Sequence, residues 1–104
     1  IIIPHYNNYK IIKDCLDSIK NLTFENFETI VVDNASSDES SKLIKDNYSD
    51  LNLIKSKYNR GYAGGCNYGA EFAKGEYLLF LNNDTTQETN FIEPLIFIER
   101  KNNV

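Results

Sequence analysis

The segment that most constrains the fold is the mostly apolar run Glu76–Leu81, which follows a glycine and ends abruptly at Asn82, Asn83 and Asp84. A nearly continuous apolar run of this length predicts a strand buried on both faces, as in parallel sheets covered by helices. Ligands of such sheets bind just beyond the carboxyl ends of the strands. Carboxylate and amide oxygens at that position indicate a site for Mg2+ or Mn2+ carrying a phosphate-bearing substrate.

The same polar residues also permit a purely structural interpretation. Asn and Asp favour turns, and Thr85 and Glu88 have the spacing of a capping box at the start of a helix. A turn followed by a helix therefore stays open as the alternative for this segment.

Strand-like patterns recur along the rest of the chain. The predicted strands are Ile1–Ile3, Thr29–Val32, Leu51–Ile54 and Glu76–Leu81. We expect Pro4 to end the first strand because proline has no N–H to donate to a central ladder. The third strand alternates apolar and polar residues, as a half-exposed or edge strand does.

Apolar residues at helical spacing predict a helix after each strand. These residues are Ile11, Ile12, Cys15, Leu16 and Ile19 in the first helix, Leu43 and Ile44 in the second, Ala63, Cys66, Ala70 and Ala73 in the third, and Phe91, Leu95 and Ile98 in the last. Asn7 or Asn8 is expected to cap the first helix, and Asn90 the last. Ser36 and Glu39 have capping-box spacing before the second helix. The small residues of the third helix predict a close approach to the sheet.

This alternation predicts an α/β fold with a mostly parallel sheet, right-handed crossovers and helices on its faces. The polar loops that follow the strands then lie along one edge of the sheet. These loops are Pro4–Asn8, Asp33–Ser37, Tyr58–Gly65 and Asn82–Thr85.

Two of these loops have residues suited to a nucleotide. The Asp33 carboxylate can accept a hydrogen bond from a nucleobase, or it can cap a helix. The glycines of segment 61–65 let backbone amides and a helix N-terminus approach a phosphate, with Arg60 adding a charge, and a plain tight turn accounts for them equally well. Asn67 is either a ligand contact or an exposed polar residue.

The first loop contains the only histidine of the chain, His5. A single histidine without a partner nucleophile or carboxylate favours a structural role over a catalytic one. Tyr6 beside it can stack on a base or pack on the sheet. No nucleophile-elbow spacing and no Gly-x-Gly-x-x-Gly after the first strand is present.

Charge and cysteine content exclude several classes of protein. The formal net charge is -4 and the Lys and Arg residues are scattered, so we expect no nucleic-acid partner. Cys15 and Cys66 lie in predicted helices and are expected to be reduced, apolar residues of a cytosolic protein. No apolar stretch reaches membrane-spanning length. The chain starts without Met inside an apolar run, and we expect it to be a fragment of a longer protein.

Four successive motifs resemble those of the family 2 glycosyltransferases, and of the rhamnosyltransferase-like branch in particular. They are Pro4–Asn7, Ile30–Asp38, Asn59–Gly69 and Leu81–Thr85, and they span essentially the whole chain in order. The joint occurrence of four motifs is far more specific than any single one.

The resemblance implies a GT-A fold, a Rossmann-like, mostly parallel sheet flanked by helices and here truncated. Residues 1–104 would be the nucleotide-sugar-binding part of the enzyme. The implied reaction transfers a sugar from a nucleoside diphosphate to an acceptor hydroxyl, with inversion at the anomeric carbon. The implied setting is the synthesis of cell-surface polysaccharide or glycan on a glycan or lipid-linked acceptor. A cytoplasmic location is expected, with peripheral attachment of the full-length parent to the inner membrane face left open.

Residue roles follow from the resemblance by position. The expected nucleotide-sugar-binding residues are Pro4, Tyr6, Asn7, Asp33, Ser36, Asn59, Arg60, Gly61, Asn67, Asn82 and Asn83, and the expected ligand of Mg2+ or Mn2+ is Asp84. Within this set the resemblance assigns Asp33 to the pyrimidine base and Asp84 to the last acid of the family's Asp-x-Asp element. Asn82 departs from that element, which weakens the metal prediction, and the catalytic base is expected beyond Val104.

Two other functions are considered. A non-catalytic module that keeps the GT-A fold fits the Asn82 departure. A receiver-like signalling domain with Asp33 as phosphoacceptor is disfavoured, because it would need an acidic pair where His5, Tyr6 and Asn7 stand.

Overall fold

The computed structural model describes residues 1–96 of the chain. Strands and helices alternate, as the sequence pattern predicts. In chain order they are β1 (Ile2–His5), α1 (Tyr9–Lys20), β2 (Ile30–Asp33), α2 (Ser40–Asn47), β3 (Asn52–Lys55) and α3 (Gly61–Ala70). None of the helices within the described range is long and apolar enough to cross a membrane.

The three strands form a parallel sheet in the order β1-β2-β3. Ile2 lies opposite Ile30, and Ile30 lies opposite Asn52. On the other side of β1, a single parallel bridge joins Ile2 to Phe80. The predicted parallel sheet is confirmed, and its carboxyl ends share one edge.

Helices cover both faces of this sheet. α1 and α2 pack on one face, around Ile3 and Val31. α3 packs on the other, against Ile2, Ile30 and Val32. Because successive strand residues point to opposite faces, the β-branched runs of β1 and β2 supply both hydrophobic cores.

Pro4 does not end β1, contrary to the prediction from sequence. It lies inside the strand opposite Val32, and β1 continues to His5. The Ile2 N–H donates to the Leu79 carbonyl on the side away from β2. Pro4 is two residues further along and faces that same side, so its missing N–H costs no bond with β2.

Segment 76–81 forms much less of a strand than its apolar sequence predicts. The Leu81 N–H donates to the Ile2 carbonyl, and the pairing stops there because the next bond would need an N–H on Pro4. Phe80 is 40% exposed, since no described strand lies on the outer side of this segment. The predicted burial on both faces is therefore wrong for the part of the chain that the structure describes.

The predicted capping box before α2 is also wrong. α2 begins at Ser40, and its N-cap residue Glu39 makes no side-chain capping bond. Asp38 takes that role, because its Oδ1 accepts from the Ser40 N–H at 2.9 Å. Ser36 is free to bond elsewhere, at the carboxyl end of β2.

The last helix begins later than predicted. Residues 92–96 are helical, two residues after the expected cap Asn90. Ile92 is buried, whereas the predicted core residue Leu95 is exposed. Ile98, which was also predicted to face inward, lies outside the described residues.

α3 approaches the sheet most closely through two glycines that were not part of the predicted face, while the predicted Ala70 and Ala73 pack partly buried on the same core. Its buried residues are Gly65, Cys66 and Gly69, and Ala63 is exposed. A Cβ at position 69 would lie 2.6 Å from Ile2 Cγ2. The absence of a side chain at Gly69 therefore sets how closely the helix can lie on β1 and β2.

Gly69→Ala should destabilise the fold by about 1–3 kcal/mol, because the added methyl group overpacks a filled interface. Urea unfolding followed by circular dichroism measures the change. Gly75→Ala is the matched control, since a Cβ there would meet only the Tyr77 carbonyl at an ordinary 3.4 Å. Equal effects of the two substitutions would contradict this account of the helix–sheet contact.

Candidate functional site

Hydrogen bonds join the four predicted loops at the carboxyl edge of the sheet. The loops after β1 and β2 meet through Asn7, whose N–H donates to Ser36 Oγ at 2.9 Å. Asn7 Oδ1 accepts from the N–H groups of Ser37 at 2.8 Å and Asp38 at 3.3 Å. Asn7 and Asn8 have φ values of 55° and 66°, a left-handed conformation that asparagine tolerates better than most residues.

The Asp33 carboxylate lies at the centre of this edge and is 2% exposed. Its Oδ1 accepts from the Ser36 hydroxyl at 2.5 Å, and its Oδ2 accepts from the Ser36 N–H at 3.3 Å. An ionised carboxylate offers about four acceptor positions. Asp33 therefore keeps acceptor capacity for a further N–H donor.

Asn34 connects the second and third loops, and sequence reasoning assigned it no role. It is 3% exposed, and its Nδ2 donates to the Gly61 carbonyl at 3.2 Å. Its Oδ1 accepts from the Arg60 N–H at 3.3 Å, and its own N–H donates to the His5 carbonyl at 2.8 Å. The only sequence signal was a polar residue directly after a buried strand, where a buried amide must find partners.

The Arg60 guanidinium lies over two aromatic rings. Its Cζ lies 3.8 Å from the centroid of Tyr68 and 4.5 Å from that of Tyr58. Its Nε donates to Ser56 Oγ at 2.9 Å. Within residues 1–96 the two Nη groups make no hydrogen bond, so they remain available to an anionic ligand.

The start of α3 completes the third loop. Gly61 has φ 72°, which favours glycine, and its N–H donates to Asn59 Oδ1 at 2.9 Å. A Cβ at Gly65 would lie 3.0 Å from both Pro4 Cβ and Asn34 Nδ2. These glycines bring the first turn of α3 close to the ends of β1 and β2, where the N–H groups that follow the bonded Gly61 N–H can meet a ligand.

The fourth loop meets the first through a side-chain pair. Asn83 Nδ2 donates to His5 Nδ1 at 3.0 Å. Thr85 Oγ1 donates to the Asn82 carbonyl at 2.8 Å, which closes the turn. The side chains of Asn82 and Asp84 are left exposed at the sheet edge.

A metal ion would have one carboxylate in this loop. Within residues 1–96 no three His, Cys, Asp or Glu side chains are grouped closely enough to hold an ion. Asp84 is a suitable hard oxygen ligand for Mg2+ or Mn2+, and the remaining ligands would have to come from water and a bound phosphate group.

Some predicted residues stand apart from this network. Tyr6 is exposed in the first loop, and Pro4 is buried inside β1. Asn67 is exposed on α3 and forms no hydrogen bond to the four loops in the described range.

His5 is a second residue whose contacts sequence reasoning missed. It is 1% exposed, and its Nε2 has no hydrogen-bond partner among residues 1–96. Burial lowers the pKa of His5 below its ordinary value, and the charges of Asp33 and Asp38 oppose that shift in part. The ring is therefore held neutral at neutral pH.

A parallel α/β sheet whose strand-end loops converge at one edge, with carboxylate, guanidinium and helix N-terminal groups there, is a Rossmann-like fold. Comparison with known proteins makes the class specific. The model of glycosyl transferase family 2 matches residues 1–103, and the chain belongs to that family.

One curated relative is the UDP-Glc:alpha-D-GlcNAc-diphosphoundecaprenol beta-1,3-glucosyltransferase WfgD of Escherichia coli. It is 32% identical over 105 residues, which cover 100% of this chain and 42% of WfgD. The chain thus spans less than half the length of this relative.

Solved structures have the same fold. TarS 1-349 of S. aureus in complex with UDP is 26% identical with a TM-score of 0.85, over 96% of this chain and 31% of that one. The mannosyltransferase PcManGT of Pyrobaculum calidifontis, in complex with GDP-Man and Mn2+, is 28% identical with a TM-score of 0.74, over 82% of this chain and 27% of that one. These similarities confirm the GT-A fold that the resemblance implied.

Asn34→Ala should destabilise the fold by about 1–3 kcal/mol, because it leaves the Gly61 carbonyl and the Arg60 N–H without their partner. Asn67→Ala makes the same chemical change at an exposed position and should stay within about 0.5 kcal/mol of the wild type. Urea unfolding of both variants provides the comparison. If Asn34→Ala had the same free energy of unfolding as the wild type, Asn34 would not be the residue that holds the loops together.

Acid should weaken the fold through His5. The unfolded chain takes up a proton near pH 6.5, whereas folded His5 takes one up only at lower pH. The contribution of His5 is therefore complete at pH 8 and is lost as the pH falls below about 6.5 towards the folded pKa, by at most about 1.4 kcal/mol per pH unit.

Urea unfolding of the wild type and of His5→Phe between pH 8 and pH 5 measures this loss. Because His5 is the only histidine, the difference between the two chains isolates its protonation. We expect the wild type to lose stability relative to the variant on acidification, and parallel profiles would contradict the expectation.

Proposed function

We propose that the chain is the nucleotide-sugar-binding part, residues 1–104, of an inverting glycosyltransferase that acts in the synthesis of cell-surface polysaccharide or glycan. The observation that supports this most directly is the bonded set of four strand-end loops around Asp33, Arg60 and Asp84, in a chain of glycosyl transferase family 2.

Asp33 is proposed to bind the nucleobase. Its buried carboxylate lies at the end of β2 with its orientation fixed by Ser36. A pyrimidine N–H would donate to a carboxylate oxygen that retains free acceptor positions. Ser36 and Asn7 would hold the two loops that form this side of the pocket.

The diphosphate is proposed to lie between the third and fourth loops. The Arg60 Nη groups and the first-turn N–H groups of α3 that follow the bonded Gly61 N–H would donate to phosphate oxygens. Asn59 and Gly61 shape the entry to this helix, and Asn82 and Asn83 supply amides on the opposite side. A divalent cation held by Asp84 and the diphosphate would stabilise the negative charge of the leaving group.

In the proposed reaction, the acceptor oxygen forms a bond to the anomeric carbon on the face opposite the nucleotide. The bond from that carbon to the diphosphate oxygen breaks, and its electron pair stays with the nucleoside diphosphate. The proton of the acceptor hydroxyl passes to a general base, which we assign to none of residues 1–96.

The relatives narrow the substrate class. WfgD is named for a UDP-glucose donor and a diphosphoundecaprenol-linked acceptor, and TarS 1-349 binds UDP. We therefore propose a uridine diphosphate sugar as donor and a lipid-linked glycan as acceptor. The rhamnosyltransferase-like motifs support deoxythymidine diphosphate as the second nucleotide to test. A lipid-linked acceptor would place the parent protein at the cytoplasmic face of the membrane.

Calorimetric titration of the chain with UDP and with deoxythymidine diphosphate, in Mn2+ and in EDTA, tests the proposal. Asp33→Asn should weaken binding by about tenfold or more, because it replaces an acceptor-only carboxylate facing the base. Asp50→Asn is the matched control, since Asp50 is exposed before β3, at the other end of the sheet.

Asp84→Asn should remove the gain in affinity that Mn2+ provides. The non-catalytic module, the alternative to the enzyme, predicts that no nucleoside diphosphate binds under any of these conditions. That result would overturn the proposed function.

A further inference from the structure

We propose that His5 is a positioning residue for the fourth loop, Asn82–Thr85. Its ring accepts the hydrogen bond from Asn83 and thereby sets where Asp84 stands beside the nucleotide pocket. The inference rests on the proposed function for its ligand, and on the geometry of β1 for its mechanism.

The fourth loop has little else to hold it to the sheet. The ladder with β1 ends at Leu81, because Pro4 has no N–H to continue it. The bonds from Thr85 to the Asn82 carbonyl lie within the turn itself. Cys15 Sγ lies 3.8 Å from the same carbonyl, a weak contact from α1.

The bond between His5 and Asn83 is therefore the only hydrogen bond that joins residues 82–84 to a strand within the described part of the chain. Without it, the loop that carries Asp84 would depend on its own turn and on the contact with Cys15.

His5 lies at the end of β1, where its backbone and side chain can join two of the strand-end loops. It is the last residue of β1 and lies opposite Asp33 in the register of the sheet. Its carbonyl accepts from the Asn34 N–H while its side chain accepts from Asn83, so it connects the second loop to the fourth.

The chain reverses its winding direction at this point. From β1 it crosses to β2 on one side, and from β3 it returns through α3 to Phe80 on the other side of β1. Such switch points are where open α/β sheets bind their ligands.

The atoms that bond in the pair of His5 and Asn83 determine which ring nitrogen of His5 carries the proton. An amide Nδ2 can only donate, so Nδ1 of His5 is the acceptor and the proton of the neutral ring is on Nε2. That Nε2–H is buried without a partner among residues 1–96, which is unfavourable. An apolar ring at this position would avoid this penalty. The hydrogen bond that Nδ1 accepts from Asn83 therefore gives the reason for a histidine here.

Two substitutions separate the acceptor from the shape of the ring. His5→Phe keeps a ring of similar size and removes the acceptor. His5→Asn keeps an acceptor close to the position of Nδ1. The affinity for UDP is measured by calorimetry with Mn2+ and with EDTA, and the ratio of the two affinities reports how well the fourth loop is placed.

We expect His5→Phe to reduce that ratio by about fivefold or more, while the affinity in EDTA changes by less than twofold. His5→Asn should restore the ratio in large part. Asn83→Ala should reduce it as much as His5→Phe, and the double variant should be no worse than either single one. An unchanged ratio in His5→Phe, or an equal loss in Mn2+ and in EDTA, would overturn the inference.

A ligand-free measurement distinguishes failure of this inference from failure of the proposed function. Nitrogen-15 NMR of the wild-type chain at pH 7.5 should show His5 protonated on Nε2 alone, and a double-mutant cycle on urea unfolding should show coupling between His5 and Asn83. Protonation on Nδ1, or additive free energies of unfolding, would overturn the inference whether or not UDP binds. A wild type that binds no nucleotide overturns the proposed function and, with it, the role of His5 in placing a ligand group.

Discussion

The parallel pairing of β1 with β2 is the interaction on which the rest of the structure depends. Both strands are buried on both faces, and each buried aliphatic side chain contributes about 1.5–3 kcal/mol through the hydrophobic effect. Their register places His5 opposite Asp33, so two polar residues end the two most buried strands side by side. The polar edge is thus a direct result of where the apolar runs stop. Each strand-end residue has to find partners there because water is excluded.

Proline inside a buried strand ordinarily removes a hydrogen bond from the sheet. At position 4 it instead determines where the pairing on one side of β1 ends. Pro4 keeps its place in β1 because its missing N–H faces away from β2. The same missing N–H ends the pairing of β1 with the segment that contains Phe80. The chain therefore leaves the sheet at Leu81 and presents residues 82–84 as a loop. Pro4 thus leaves the pairing of β1 with β2 intact and ends the pairing on the other side of β1, where the loop of the proposed site begins.

Sequence reasoning predicted the elements well because they depend on periodicity, which is local. The apolar runs at Ile2 and Ile30 and the helical spacing of Ile12 and Leu16 specify the sheet and α1 without any tertiary information. The errors in the elements are local to Pro4, to segment 76–81 and to the start of the last helix, and the errors at the site concern which partner a polar group bonds to. Ser36 has the spacing of a helix cap and bonds to Asp33 instead. Asn34 and His5 received no binding role, because which carbonyl or amide a buried polar group meets depends on loops far apart in sequence.

Under the proposed function, a chain with net negative charge binds a diphosphate, so positive groups near the site have to offset the repulsion. The net charge is -4, and two carboxylates, Asp33 and Asp84, stand at the proposed site. Arg60 and the N-terminus of α3 oppose them on one side only. Asp84 is a single exposed carboxylate and cannot hold a metal ion by itself. A diphosphate beside Asp84 would be repelled by it if no metal ion were bound. Under the proposed function, metal and nucleotide therefore complete each other's binding site. Thermodynamic linkage then requires that each raises the affinity for the other by the same factor.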